Sequence, residues 1–181
     1  MKLNYAINDV QSRAALDKAP EVMGRNLEAA LDRAAIEGAD MMRAEISQHD
    51  VTGALKNSVA VRRFAALERF ITPTLNTAAA VDEGTGPAAG KARYFPNPDN
   101  LLDFIRHSPA SRGFGWARKG SSKRGGQDLE LWFRSRAMAR SIYMKGTQPA
   151  NFVAKTEAQS KERFFALMDE GVAMGVREVM A

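Results

Sequence analysis

Cysteine is absent from this chain, and histidine is confined to His49 and His107. The first absence excludes disulfides and thiolate metal sites. The second leaves no imidazole cluster: neither histidine has carboxylates at ligand spacing, or a serine placed for nucleophilic catalysis. No metal, cofactor or catalytic residue is therefore expected. Long apolar runs are missing too. Nothing approaches the roughly 20 residues of a membrane span, and Met1–Val10 holds no apolar run long enough for a signal peptide. A protein made and kept in solution in the cytosol is expected. One further absence is local: from Ser108 to Gln127 there is no acidic residue.

What is present suits one α+β domain of 181 residues, long enough to bury roughly 70% of its unfolded surface. The net charge of +5 and a pI near 9.7 favour polyanionic neighbours. Residues Lys2–Ile7 alternate loosely, as an edge strand or arm does. Asn8 and Asp9 cap a short helix over Val10–Lys18, and Pro20 suits the first turn of the next. From Glu21 to Ser47, Met23, Leu27, Leu31, Ala34, Gly38, Met42 and Ile46 recur at three-and-four spacing, which predicts a long amphipathic helix. Its small residues Ala30, Ala34, Ala35 and Gly38 allow close packing on a sheet or a helix.

Gly53 is expected to take a positive backbone angle at a helix-to-strand corner. Strands follow near Leu55–Phe64, Leu67–Thr72 and Ala78–Glu83, with Pro73 at an edge or a strand end. Asn97 and Pro98 start a short helix to His107. A helix over Asp128–Lys145 places Leu129, Trp132, Phe133, Ala137 and Ile142 on one side, leaving Arg134, Arg136 and Arg140 outward. Gly146 ends it. A last helix, Lys155–Met180, carries Ala158, Phe165, Met168, Val172, Val176 and Val179 as its stripe. The segment 86–146 reads as an insertion, within which 108–127 is expected to be a mobile basic loop.

Two motifs invite chemistry. Gly84 to Lys91 resembles a phosphate loop only in composition: Thr85 stands where the first glycine belongs, and Ala92 where a hydroxyl should follow the lysine. Asp82 and Glu83 are adjacent carboxylates, which a strand would point to opposite faces, so one is expected exposed and the other in an arginine pair or a turn cap. In the basic loop, Arg112, Phe114, Trp116, Arg118, Lys119, Lys123 and Arg124 are candidates for contact with DNA phosphates or with a neighbouring protein chain.

The order of motifs resembles a known family. Thr52, Gly53, Leu55 and Ser58 form Thr-Gly-x-Leu-x-x-Ser after a long helix. Val81, Asp82, Gly84 and Thr85 form Val-acid-x-Gly-Thr. Lys145, Gly146, Thr147, Pro149 and Phe152 then precede a last helix. Together these are similar to the bacteriophage neck and tail-completion proteins, the head–tail joining family often described as minor tail components. The resemblance implies helices packed on a small antiparallel sheet and no catalysis. It further implies a homo-oligomeric ring in the virion, around the DNA channel, against connector, portal-adaptor or tail-tube and terminator proteins. The small positions Ala30, Ala34 and Gly38 are a candidate oligomer face. The alternative is a sequence-independent nucleic-acid-binding module using the basic loop 106–124.

Overall fold

The computed structural model describes residues 9–50, 53–107 and 125–181. The expected arm at Lys2–Ile7, Thr52 of the first motif and the basic-loop candidates Arg112 to Arg124 lie outside them. The architecture is α+β, with long helices at both ends of the described chain and one two-stranded antiparallel sheet. Its elements are α1 (Asp9–Ser47), α2 (Ala54–Asn57), β1 (Val59–Ala65), β2 (Glu68–Pro73), α3 (Ala78–Asp82), α4 (Leu102–His107), α5 (Gly125–Lys145) and α6 (Phe152–Met180). Short 3-10 turns occupy Gly86–Ala89 and Pro98–Leu101.

Three expectations about elements are corrected. The two expected N-terminal helices are one, and Pro20 lies inside it. Proline there removes the bond to the carbonyl of Leu16, a residue exposed enough for water to replace it. Leu55 to Asn57 form a helical turn rather than the start of a strand, because Asp50 supplies a cap: its carboxylate accepts from the amides of Gly53 (2.9 Å) and Lys56 (2.7 Å). Ala78–Asp82 is also helical. A short apolar run does not distinguish strand from helix by pattern, and its three successive alanines favour the helix.

The chain divides into two compact units, one of Met1–Met41, Ala60–Thr72 and Glu157–Ala181, the other of Met42–Val59 and Pro73–Thr156. The 86–146 segment falls whole within the second. In the first unit α1 and α6 run antiparallel, in a register that begins at Arg25–Glu178 and ends at Glu37–Arg163. Arg163 is bidentate to Glu37 (2.8 and 3.1 Å), and Asn26 donates to Glu178 at 3.0 Å. Between these ends the backbones meet at glycines. A Cβ on Gly171 would lie 2.7 Å from the Ala30 methyl and 3.1 Å from the Asn26 carbonyl oxygen; one on Gly175 would meet the Met23 sulfur at 2.5 Å.

The α1 stripe is as expected: Leu31, Ala34, Gly38, Met42 and Ile46 are buried, and Met23 and Leu27 half-buried. The α6 stripe is not. Met168 and Val179 are half-buried, but Ala158, Phe165, Val172 and Val176 are exposed, while Leu167, Gly171 and Gly175 face inward. A helix that packs through glycine turns its small residues in, and its bulky ones are left outside.

The sheet belongs to this unit through its outer part. Ala66-Leu67 joins the strands as a two-residue turn. Such turns ordinarily rely on glycine or asparagine at positive φ, and neither residue has it. Arg69 supplies the constraint: its side chain is 3% exposed and donates to the carbonyls of Ala65 (2.8 Å), Ala66 (3.1 Å) and Glu68 (3.0 Å). The same guanidinium pairs with Asp32 and Glu28 of α1, and Ile71 packs over Gly38.

Two outcomes follow for stability. Gly24 has open space about it, whereas Gly171 abuts backbone. Gly24→Ala should therefore stabilise by up to about 1 kcal/mol through helix propensity. Gly171→Val should destabilise by about 2 kcal/mol through overpacking. Chemical denaturation of the two variants checks both. The second outcome concerns acid. The hydrogen bond from Arg69 holds Asp32 below its ordinary 3.8, that from Arg163 holds Glu37 below 4.5, and those from Asn26 and then Arg25 hold Glu178 below 4.5. Depressed carboxylates contribute stability that is present above their unfolded values and lost as pH falls through the folded ones. The thermal midpoint should be flat with respect to these groups above about pH 5 and fall below about pH 4.5. The fall should be shallower in Glu37→Gln/Glu178→Gln.

Candidate functional site

The second and third sequence motifs, some sixty residues apart in the chain, meet within the second unit. Thr85 and Thr147 form an isolated antiparallel bridge: the Thr85 amide donates to the Thr147 carbonyl at 3.1 Å and the reverse bond is 2.9 Å. Their hydroxyls share a third bond at 2.8 Å. Gly84 (φ 69°), Gly86 (φ 62°) and Gly146 (φ 79°) flank the bridge, all in the left-handed region. The approach is close as well. A Cβ on Gly146 would collide with the Thr85 carbonyl oxygen, and one on Gly84 would lie 2.5 Å from that of Thr147.

The bridge sits at the base of the 86–146 segment and closes it. The chain next to it is then tied to α6. Val81 and Asp82 carbonyls accept from the amides of Ala150 and Asn151, each at 3.0 Å, and the Asp82 carboxylate accepts from the Val153 amide at 3.1 Å. That carboxylate fills the role of an N-cap from a distant part of the chain, where the helix dipole favours negative charge. Pro149 precedes the turn, and Phe152 at the first position of α6 is fully buried.

The adjacent carboxylates thus divide their roles, Asp82 as helix cap and Glu83 in a pair with Lys91 (2.6 Å) that holds it below its ordinary value. As expected, one of the two, Glu83, is exposed and the other serves as a cap. In the first motif, Gly53 has the expected positive φ of 76°, Leu55 is buried, and Ser58 ends α2 by donating to the Leu55 carbonyl at 2.7 Å. Among the described motif residues, Gly53, Ser58, Asp82, Gly84, Thr85, Gly146 and Thr147 are accounted for by turns, caps and the bridge, and Leu55 and Phe152 by burial. No group of three or more metal-ligating side chains occurs among the described residues, and no helix among them is long and apolar enough to cross a membrane.

Chemistry at the surface is apolar. In the hairpin, Phe64 is 78% exposed and stacks edge-on against Phe70 at 5.7 Å, with exposed Leu67 between them in sequence. Among the described residues each strand has a single strand neighbour. On α5 the expected inward side is corrected: Leu129, Trp132 and Phe133 are exposed, and the buried residues are Ser135 and Ala139. Small side chains let α5 approach α4 and the two 3-10 turns closely. Ala30, Ala34 and Gly38 are buried within the chain, so they offer no oligomer face. Compared with family models, curated proteins and solved structures, the chain matches none at a significant level.

The Gly84–Thr85 and Gly146–Thr147 clasp should be intolerant of any Cβ at its glycines. Gly146→Ala is expected to cost about 2 kcal/mol or more, because strain at positive φ adds to the clash. Thr85→Val should cost about 1 kcal/mol, from one lost hydroxyl bond. Urea midpoints of the two variants should fall in that order.

Proposed function

We propose that the chain is a structural subunit of a bacteriophage virion, a ring-forming neck or tail-completion protein that joins head to tail around the DNA channel. The observation carrying this reading is the hairpin tip, where Phe64, Leu67 and Phe70 lie exposed and the Phe64 and Phe70 rings meet. An exposed cluster of large apolar side chains marks an interaction site. Head-to-tail contact between unlike surfaces is what closes copies of one chain into a ring. The motif residues support the reading in another way. Gly53, Leu55, Ser58, Asp82, Gly84, Thr85, Pro149 and Phe152 organise turns and caps, as residues retained for shape rather than chemistry do. In this reading the protein is not an enzyme and takes no cofactor. Its partners are copies of itself and the adjoining connector, portal-adaptor or tail-tube and terminator proteins, with sequence-blind DNA contact in the channel.

The test is made in particles whose genome encodes this chain. Removing the chain should leave filled heads and free tails, and imaging of complete particles should place a symmetric ring of it at the joint. Phe64→Ser/Phe70→Ser should abolish incorporation while changing the stability of the isolated chain by only about 0.5 kcal/mol. Normal particles without the chain, or a single copy per particle, would overturn the proposal.

A further inference from the structure

A second surface, in the other unit, has a chemistry of its own. The irregular segment 93–95 passes beside the C-terminal half of α5, and an open cleft there is lined by Phe95, Pro98, Arg136, Arg140, Tyr143 and Met144. Its walls are apolar and exposed, Phe95 at 52%. Its charges are all positive. Arg136 lies over the Trp132 ring at 4.0 Å, and Arg93 over the Tyr143 ring at 5.7 Å. None of Arg93, Arg136 and Arg140 makes an ion pair among the described residues, whereas Glu130 on the same helix is engaged by Arg134 at 2.6 Å.

A guanidinium stacked on a ring is held flat, with its N–H edge turned outward, which suits bidentate capture of a carboxylate. Aromatic, methionine and arginine side chains are also those enriched where proteins meet. We propose that this surface docks an acidic, apolar segment of another protein chain, its carboxylates on Arg136 and Arg140 and an apolar side chain in the cleft beside Phe95 and Tyr143. The inference holds whether or not the chain is a virion subunit.

Two other occupants fit less well. Single-stranded nucleic acid binds by stacking bases on free ring faces. Here Trp132 is covered by Arg136 on one face and meets Phe133 edge-on at 5.0 Å, and Tyr143 is engaged by Arg93 at 5.7 Å and by Phe95 at 6.0 Å. The chain's own residues 108–124 contain five cations and no carboxylate, so they repel the same arginines.

The experiment uses the full chain and a fluorescein-labelled peptide alternating glutamate with leucine and phenylalanine, read by anisotropy at about 150 mM salt, where surface charge effects beyond about 8 Å are screened. Binding should weaken about tenfold or more in Arg136→Ala/Arg140→Ala. It should weaken similarly when every glutamate of the peptide is glutamine, and stay unchanged in Arg118→Ser/Lys119→Ser. Should circular dichroism show the alanine pair unfolded, Arg136→Lys/Arg140→Lys takes its place; it keeps the charge but loses the planar fork, and a smaller loss is expected. Equal affinity for the glutamine peptide would overturn the proposal. So would a loss confined to the Arg118/Lys119 variant, or labelled oligothymidylate binding through Arg136 and Arg140 while the peptide does not.

Discussion

The bridge between Thr85 and Thr147 is the constraint on which the second unit depends. It joins two parts of the chain by three hydrogen bonds, and it forms only because three adjoining residues lack side chains. Each of those glycines adopts a backbone conformation that a β-carbon makes costly, and at Gly84 and Gly146 the separation would also forbid one. Once the strands meet there, Asp82 falls within reach of the first amides of α6. The start of the last helix is therefore set by a residue seventy positions upstream, rather than by a cap beside it. Asn151, the one non-glycine at positive φ among the described residues, turns the chain into that helix.

The first unit rests on a different principle, close helix contact through small residues with ion pairs at the margins. Gly171 and Gly175 admit α1 to van der Waals range, and the carboxylate–arginine pairs at either end fix the register. Exposed pairs of this kind contribute little individually, so the geometry is specified mainly by glycine packing and the pairs choose among registers. Arg69 is the exception. It is buried, meets two carboxylates of α1, and at the same time holds the three carbonyls of the hairpin turn. A single side chain both closes the turn and fastens it to the helix.

In both units much of the core is built from small residues around a few large ones such as Ile46, Phe152 and Leu167, and several large apolar side chains lie outside it. Phe64 and Phe70 in the hairpin, Trp132 and Phe133 on α5, and Phe165 on α6 are exposed, while Ala30, Ala39, Ser135 and Ala139 are fully buried. Arg136 and Arg93 lie over the Trp132 and Tyr143 rings in the second unit.

By itself the sequence determined the α+β class, the α1 stripe from Met23 to Ile46, the left-handed turn at Gly53, the cap at Asn97 and the end of α5 at Gly146. Each depends on neighbours within one or two turns of the chain, where spacing and conformational preference act directly. What lay between distant segments was decided by the tertiary structure. Periodicity assigns the bulky residues of α5 and α6 to the interior because it counts hydrophobicity and is blind to how closely two backbones must approach. On α6 Gly171 and Gly175 take that place because the helix meets α1 at distances that only small side chains permit, and on α5 Ser135 and Ala139 are the fully buried residues among those described. The meeting of Gly84–Thr85 with Gly146–Thr147 likewise turns on contacts whose energy exists only once the partners are brought together.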